Sequence, residues 1–268
     1  MTSRMELAAH SVHIWLTRMS LVPPAAFTDY YGLLSQAEQR RNSGFGHQSL
    51  RRTDALTRTL VRTVLSEYEN PSPPQWEFGE YERGKPFIAS PATRLFFNLS
   101  HSAEWVVCAI ARFPVVGVDI EHCDRDVDVV RLARRFFSPL EYRNLLDLPR
   151  EAQKNQFFAY WTLKESYIKA RGEGIALGLE RFSFRCADNG TIGIDCDPAL
   201  QDNPAAWQFR LSGGEGGHRL ALAVKPPLPT PALELHHFFT IPLQRIEGYT
   251  GPLQLQEPVS PTSTIQQL

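Results

Sequence analysis

Three carboxylates and one lysine have the types and spacing for chemistry. Asp119 and Glu121 lie in "VVGVDIEHCD"; Glu165 and Lys169 lie in "WTLKESYIKA". The first stretch alternates, so Val116, Val118 and Ile120 point one way and Gly117, Asp119 and Glu121 the other. Two carboxylates at i and i+2 on a strand sit about 7 Å apart. Their repulsion disfavours double ionisation unless a cation is near. Gly117 leaves room beside them for a ligand. A solvated edge strand with acidic gatekeepers gives the same pattern, so D-x-E decides nothing alone. Glu165 shares a helical face with Phe158, Trp161 and Ile168, where an unpaired carboxylate is costly. Lys169, at i+4, is one partner; Lys164 falls on another part of the helix. A plain Glu165–Lys169 surface pair is the competing account, at a few tenths of a kcal/mol. If strand and helix pack together, three carboxylates converge. An all-oxygen set without His or Cys suits Mg²⁺ completed by substrate phosphates.

A phosphate-binding side is also legible. "FNLSHS" ends a strand in Ser100, His101 and Ser102, which offer hydroxyls, backbone N–H groups and one imidazole. "ERGKPFI" places Lys85 on a turn. Arg40, Arg41, Arg51 and Arg52 fall on or between helices of the first half. With Lys169 they suit a polyanionic ligand, although each taken singly reads as a solvated arginine. Neither G-x-x-x-x-G-K-[ST] nor G-x-G-x-x-G occurs, which excludes the common nucleotide loops.

The elements that must position these residues recur along the chain. "SVHIWL" alternates as a strand. Ser35–Glu38 is an S-x-x-E capping box, and a helix from Arg51 to Glu67 ends at "NPSPP". "QWEFGEYERGKPFI", "RLFFNLSHS" and "EWVVCAIARF" read as strands. The second half repeats the plan with the strand "VVGVDIEH", the box Ser138–Glu141, the helix "QFFAYWTLKESYIKAR" and four further strands. "FNLS…WVVCAI" and "FRLS…RLALAV" correspond, and superposing the boxes sets Glu165 over Arg62. Two related α+β halves follow, with coincidence of common motifs as the alternative. The boundaries expected are 1–116, 117–226 and a Pro-rich extension, 227–268. In that extension "ALELHHFFTIPL" reads as one more strand and "EPVSPTSTIQQL" as a mobile tail.

The 268 residues, 43% hydrophobic and 21% charged, describe an ordinary globular protein. A formal net charge of −1 gives no case for nucleic-acid binding. Four scattered cysteines without C-x-x-C argue against a zinc site or a disulfide framework and suit a cytoplasmic setting. No apolar run reaches the roughly 18 residues a membrane helix needs.

"GKP", "FNLSHS", "GVDIE" and "WTLKESYIKARGEG", in this order and at these intervals, resemble the Sfp-type 4′-phosphopantetheinyl transferases. The resemblance implies transfer of 4′-phosphopantetheine from coenzyme A to a serine hydroxyl of an apo acyl or peptidyl carrier protein, releasing 3′,5′-ADP. It implies a pseudo-dimer of two α+β halves in one chain, acting as a monomer, with the active site between the halves. By motif position it makes Asp119, Glu121 and Glu165 Mg²⁺ ligands. Lys85, Ser100, His101 and Lys169 become coenzyme A contacts, with Arg51 and Arg52 assigned to its phosphates. Glu165, Lys169 and His101 are the expected catalytic groups, and Glu165 would take the serine proton directly or through a water. The loop from His122 to Val130 would meet the carrier. On the helix after it Arg131, Arg134 and Arg135 rim Val129, Leu132 and Phe136, which suits an acidic carrier helix; a plain amphipathic helix with its apolar face in the core is the competing account and the better one for at least half of these side chains. A coenzyme A or acyl-coenzyme A binding protein without turnover, and a metal-dependent phosphodiesterase, are the competing readings. Which carrier is preferred, for fatty-acid, polyketide or peptide synthesis, is left open.

Overall fold

A computed structural model describes residues 4–187, 190–213, 217–227 and 233–244. The first half runs β1 (Ser11–Arg18), α1 (Ala26–Gly32), α2 (Gln36–Ser43), α3 (Gln48–Tyr68), β2 (Glu77–Glu80), β3 (Pro86–Ser90), β4 (Phe96–Ser102) and β5 (Trp105–Ala111). The second repeats this order: β6 (Val116–His122), α4 (Val129–Phe136), α5 (Pro139–Leu146), α6 (Arg150–Arg171), β7 (Phe182–Cys186), β8 (Ile192–Cys196), β9 (Gln208–Gly213) and β10 (His218–Val224). The main sheets have matching strand orders, β1-β5-β4 and β6-β10-β9, and each long helix is followed by a two-stranded hairpin. The duplication is therefore one of topology and not only of short motifs.

The two sheets face each other. Val12, Ile14 and Leu16 of β1 and Val107 and Ala109 of β5 meet Val116, Val118 and Ile120 of β6 and Leu220 and Leu222 of β10. On the outer faces, α3 covers Trp15, Cys108 and Ile110, while α6 covers Ala221 and Ala223. This layering explains why β1, read as an alternating strand, is buried on both faces. The extension adds β11 (Glu234–Phe239), which pairs parallel to β1 and forms a fourth strand. The expected tail and part of the Pro-rich run lie outside the described residues.

Both capping boxes form. Ser35 Oγ accepts from the Glu38 amide at 3.3 Å and Glu38 returns to the Ser35 amide at 2.8 Å. Ser138 and Glu141 do the same at 3.2 Å each way. Each box glutamate then anchors the long helix of its own half. Arg62 Nη2 reaches Glu38 at 2.7 Å. Lys164 Nζ, wholly buried, reaches Glu141 at 2.7 Å and also donates to the carbonyls of Leu179 and Phe182. Arg62 thus corresponds to Lys164 and not to Glu165. α3 begins thirteen residues after Ser35 and α6 twelve after Ser138, so superposing the boxes misaligns the helices by one.

α6 ends where Gly172 adopts φ +72° and its amide bonds the Ile168 carbonyl at 2.9 Å. A left-handed residue closes the helix there, as glycine permits at no steric cost.

Candidate active site

β6 and α6 position the carboxylates, and their contact is unusually close. A Cβ on Gly117 would stand 2.1 Å from the Ser166 carbonyl oxygen and 2.3 Å from the Ala170 nitrogen. The room beside Gly117, expected to admit a ligand, is taken by the helix backbone. Asp119 and Glu121 follow on the same face of β6 and so look toward α6, as the alternation requires.

Asp119 is buried. Its Oδ1 accepts from Lys169 Nζ at 2.6 Å and from Ser100 Oγ at 2.8 Å, and Lys169 also donates to Ser100 at 2.8 Å. Its Oδ2 is buried with no hydrogen-bond partner. Glu121 Oε1 accepts from the Trp161 indole at 3.0 Å, and Oε2 from Ser102 at 3.2 Å and Arg125 at 3.0 Å. Burial, with the Asp119 charge, raises the Glu121 carboxyl above its ordinary range. Glu165 is pushed up to about 7 by burial first, then by Asp119 and Glu121, with Lys169 opposing. Lys169 therefore serves Asp119 in place of the surface pair with Glu165 that i+4 spacing offered.

Two adjacent cavities open here. One, of about 260 Å³, is lined by Lys85, Glu165, Ile168, Lys169 and Ile175. The other, of about 540 Å³, runs under the first-half helices past Arg41, Asp54, Arg58 and His101. Gly84, Pro86 and Leu99 line both. His101 is exposed to this space; desolvation and Lys169 lower its imidazole, against Asp119 and Asp54. It is thus held toward the neutral form, a donor more than a fixed cation.

Lys85 reaches the same junction but spends its ammonium on protein carbonyls, Ala170 at 2.7 Å and Val116 at 3.3 Å. Desolvation lowers it to about 8. It ties the first half to the end of α6. Arg51 and Arg52 do not line either cavity. Arg51 donates to the carbonyls of Phe45 (2.8 Å) and Ser43 (3.0 Å), and Arg52 stacks over Phe27 at 5.2 Å. Long arginines at the start of a helix found nearer partners in the preceding loop and helix. The arginines that do face the larger cavity are Arg41 and Arg58, and both already hold acids: Arg41 with Glu80, Arg58 with Asp54 and Glu38. Arg58 was not singled out from sequence, although Asp54 four residues earlier marked its position. Ser102 and Trp161, which hold Glu121, were also not assigned; the alternation of "NLSHS" put Ser100 and Ser102 on one face.

On α4, Val129, Leu132 and Phe136 pack against the second-half core while Arg131, Arg134 and Arg135 are exposed. The apolar side chains are thus turned largely inward, which is the plain amphipathic helix set beside the carrier-docking reading.

Two adjoining matches cover the two halves. Residues 23–112 match the N-terminal 4′-phosphopantetheinyl transferase family, and residues 115–224 match the 4′-phosphopantetheinyl transferase superfamily. The chain is 37% identical to the 4′-phosphopantetheinyl transferase HetI of Nostoc sp. over 172 residues, 63% of this chain and 72% of that one. It is 30% identical to the 4′-phosphopantetheinyl transferase Sfp of Bacillus subtilis over 198 residues, 74% and 85% of the two chains. The chain belongs to the Sfp-type 4′-phosphopantetheinyl transferase family. A structure of Helicobacter pylori holo-[acyl-carrier-protein] synthase with coenzyme A aligns to 41% of this transferase and 97% of that chain, at 20% identity and a TM-score of 0.33. No helix among the described residues is long and apolar enough to cross a membrane.

Among the described residues, no three His, Cys, Asp or Glu side chains stand as a ready-made metal cluster. The donor chemistry nevertheless fits a hard cation. Asp119 Oδ2 is buried and unpartnered, and the neighbouring Glu121 and Glu165 are both raised by burial and then by the Asp119 charge. A divalent cation would relieve that repulsion, and all the donors are oxygens.

Proposed function

We propose that this chain transfers the 4′-phosphopantetheine group of coenzyme A to a serine hydroxyl of an apo carrier protein, with Mg²⁺ held by Asp119, Glu121 and Glu165. The observation that carries this reading is the junction itself: Glu165 and Lys169 line one cavity at the seam, and Asp119 couples to both. When bound, the cation supplies charge neutralisation at the pyrophosphate.

The protein groups divide the remaining work. Lys169 lines the smaller cavity and offers fixed positive charge to phosphate. Ser100 holds the ammonium of Lys169 and the carboxylate of Asp119 together. His101, on the wall of the larger cavity, offers a hydrogen bond to a phosphate oxygen. Glu165 lines the cavity beside Lys169, and in this reading it takes the serine proton, directly or through a water. The exposed arginines of α4 give a basic surface for an acidic carrier.

The test is to incubate the chain with apo carrier, coenzyme A and Mg²⁺, and weigh the carrier. A gain of one phosphopantetheine mass, lost on chelation and lost in Glu165→Gln, is expected. Near-normal turnover by Glu165→Gln removes both roles for Glu165, and turnover in excess chelator removes the cation.

A further inference from the structure

β4 and β6 belong to different sheets yet run together at the seam between the halves. What joins them is a ladder of side chains. The amides of Val118, Ile120 and His122 donate to Asn98 Oδ1 (2.8 Å), Ser100 Oγ (3.3 Å) and Ser102 Oγ (2.9 Å). Acceptor and donor are twenty residues apart at each rung. The edge of β6 turned away from β10 is thus satisfied by side chains from the other half, where a bare edge would leave buried N–H groups orphaned.

The rungs differ in what they do next. A serine hydroxyl that accepts an amide still has one proton to give. Ser100 gives it to Asp119 at 2.8 Å and Ser102 gives it to Glu121 at 3.2 Å. Asn98 has no such recipient, because the residue just before its rung, in the place of Asp119 and Glu121 at the other two, is Gly117, where α6 touches the strand. The ladder therefore contains its own control: one rung, on the wall of the smaller cavity, that joins the halves without aiming a carboxylate, and two that also aim one.

We propose that Ser102 is a positioning residue for Glu121, fixing the orientation of its carboxylate by relaying the β6 backbone to Oε2. Without Ser102, that oxygen keeps only Arg125, whose side chain is 44% exposed and therefore loosely held. The inference rests on the reading of Glu121 as a cation ligand. Partners of this kind, one bond removed from a metal, are worth about 10–100-fold in metal affinity.

The experiment compares Ser102→Ala, Ser102→Thr, Asn98→Ala and Glu121→Gln with the parent. It reads the Mn²⁺ dissociation constant of the full chain with coenzyme A, from the electron paramagnetic resonance of free Mn²⁺, and the Mg²⁺ midpoint for carrier modification. Thermal melting establishes that each variant is folded. Ser102→Ala is expected to raise both constants about tenfold or more, Ser102→Thr to restore them, and Asn98→Ala to melt earlier with both constants near the parent's. Parental constants in folded Ser102→Ala overturn the proposal, provided Glu121→Gln raises them. Equal increases in Ser102→Ala and Asn98→Ala also overturn it, since seam stiffness alone would then explain the effect. If Glu121→Gln leaves both constants unchanged, the cation reading fails and the proposal falls with it.

Discussion

Gly117→Ala should separate folding from catalysis. The added Cβ would meet three backbone atoms of α6: the Ser166 oxygen at 2.1 Å, the Ala170 nitrogen at 2.3 Å and the Ala170 Cα at 2.8 Å. Ordinary contact begins at about 3.5 Å. Backbone cannot rotate aside as a side chain can, so α6 must retreat from β6 by about 1 Å or more. Overpacking of this kind costs about 1–3 kcal/mol, which a domain of ordinary stability survives. The same retreat carries Lys169 away from Asp119, now 2.6 Å apart, and draws Glu165 from the other carboxylates. A misplacement of about 1 Å at a reacting centre costs roughly a hundredfold in rate. The expected result is a folded protein whose melting temperature falls by several degrees and whose kcat for carrier modification falls about a hundredfold. Gly193→Ala on β8, where an added Cβ meets nothing within 4 Å, is the matched control and should change neither. A Gly117→Ala enzyme with the parent's kcat would refute the argument that strand–helix contact sets the site.

Three further outcomes follow from particular contacts. Lys164→Met leaves Glu141 buried without its cation, and breaking a buried pair costs about 3–5 kcal/mol, so melting by circular dichroism should drop about 10 °C; a drop under 2 °C would show the pair to be dispensable. Ala103, at φ +49° in the β4–β5 turn, holds a conformation that costs an L-residue about 1–2 kcal/mol, so Ala103→Gly should stabilise by about 0.5–1 kcal/mol in urea unfolding. His13 and His218 are both buried and lowered to about 4, chiefly by desolvation and then by His236 and His122 respectively. Between the ordinary 6.5 and about 4 the unfolded chain binds more protons, so stability falls as pH falls through that window, by roughly 3 kcal/mol per histidine. His218→Asn should flatten this acid limb in urea midpoints measured from pH 7 to 4, and an unchanged slope would count against it.

The faces of "VVGVDIEH" were legible because a strand has a period of two and nothing in the tertiary fold can alter it. The capping boxes were legible because their bonds are local. What escaped was whatever depends on a neighbour in space. Gly117 was read as room for a ligand, but sequence does not say which backbone approaches a missing Cβ. Lys169 was paired with Glu165 by helical spacing, yet a strand carboxylate at 2.6 Å in a buried setting outcompetes a neighbour on the same helix. Arg51 and Arg52 were grouped by charge, while long side chains choose the nearest acceptor, here the Phe45 carbonyl and the Phe27 ring. The parallel pairing of β11 with β1 joins residues more than two hundred positions apart and has no local signature.

The matched clamps of the two halves show why a duplicated fold carries the carboxylate once. Each long helix is clamped by a cation on the capping-box glutamate of its own half, Arg62 on Glu38 and Lys164 on Glu141. The clamp sets the rotation of the helix on its sheet, so the residue after it faces the same way in both halves. After Lys164 that residue is Glu165; after Arg62 it is Thr63, which cannot ligate a cation with a charge. Four positions further along, Lys169 stands against Glu67. The second half thus presents an acid and a base one turn apart where the first presents a hydroxyl and an acid. The first half instead contributes the β4 hydroxyls that hold the β6 carboxylates and Lys85, which holds the end of α6. The two halves share one scaffold, and the residue after the clamp places a carboxylate in one half and a hydroxyl in the other, while β4 of the first half holds the carboxylates of β6.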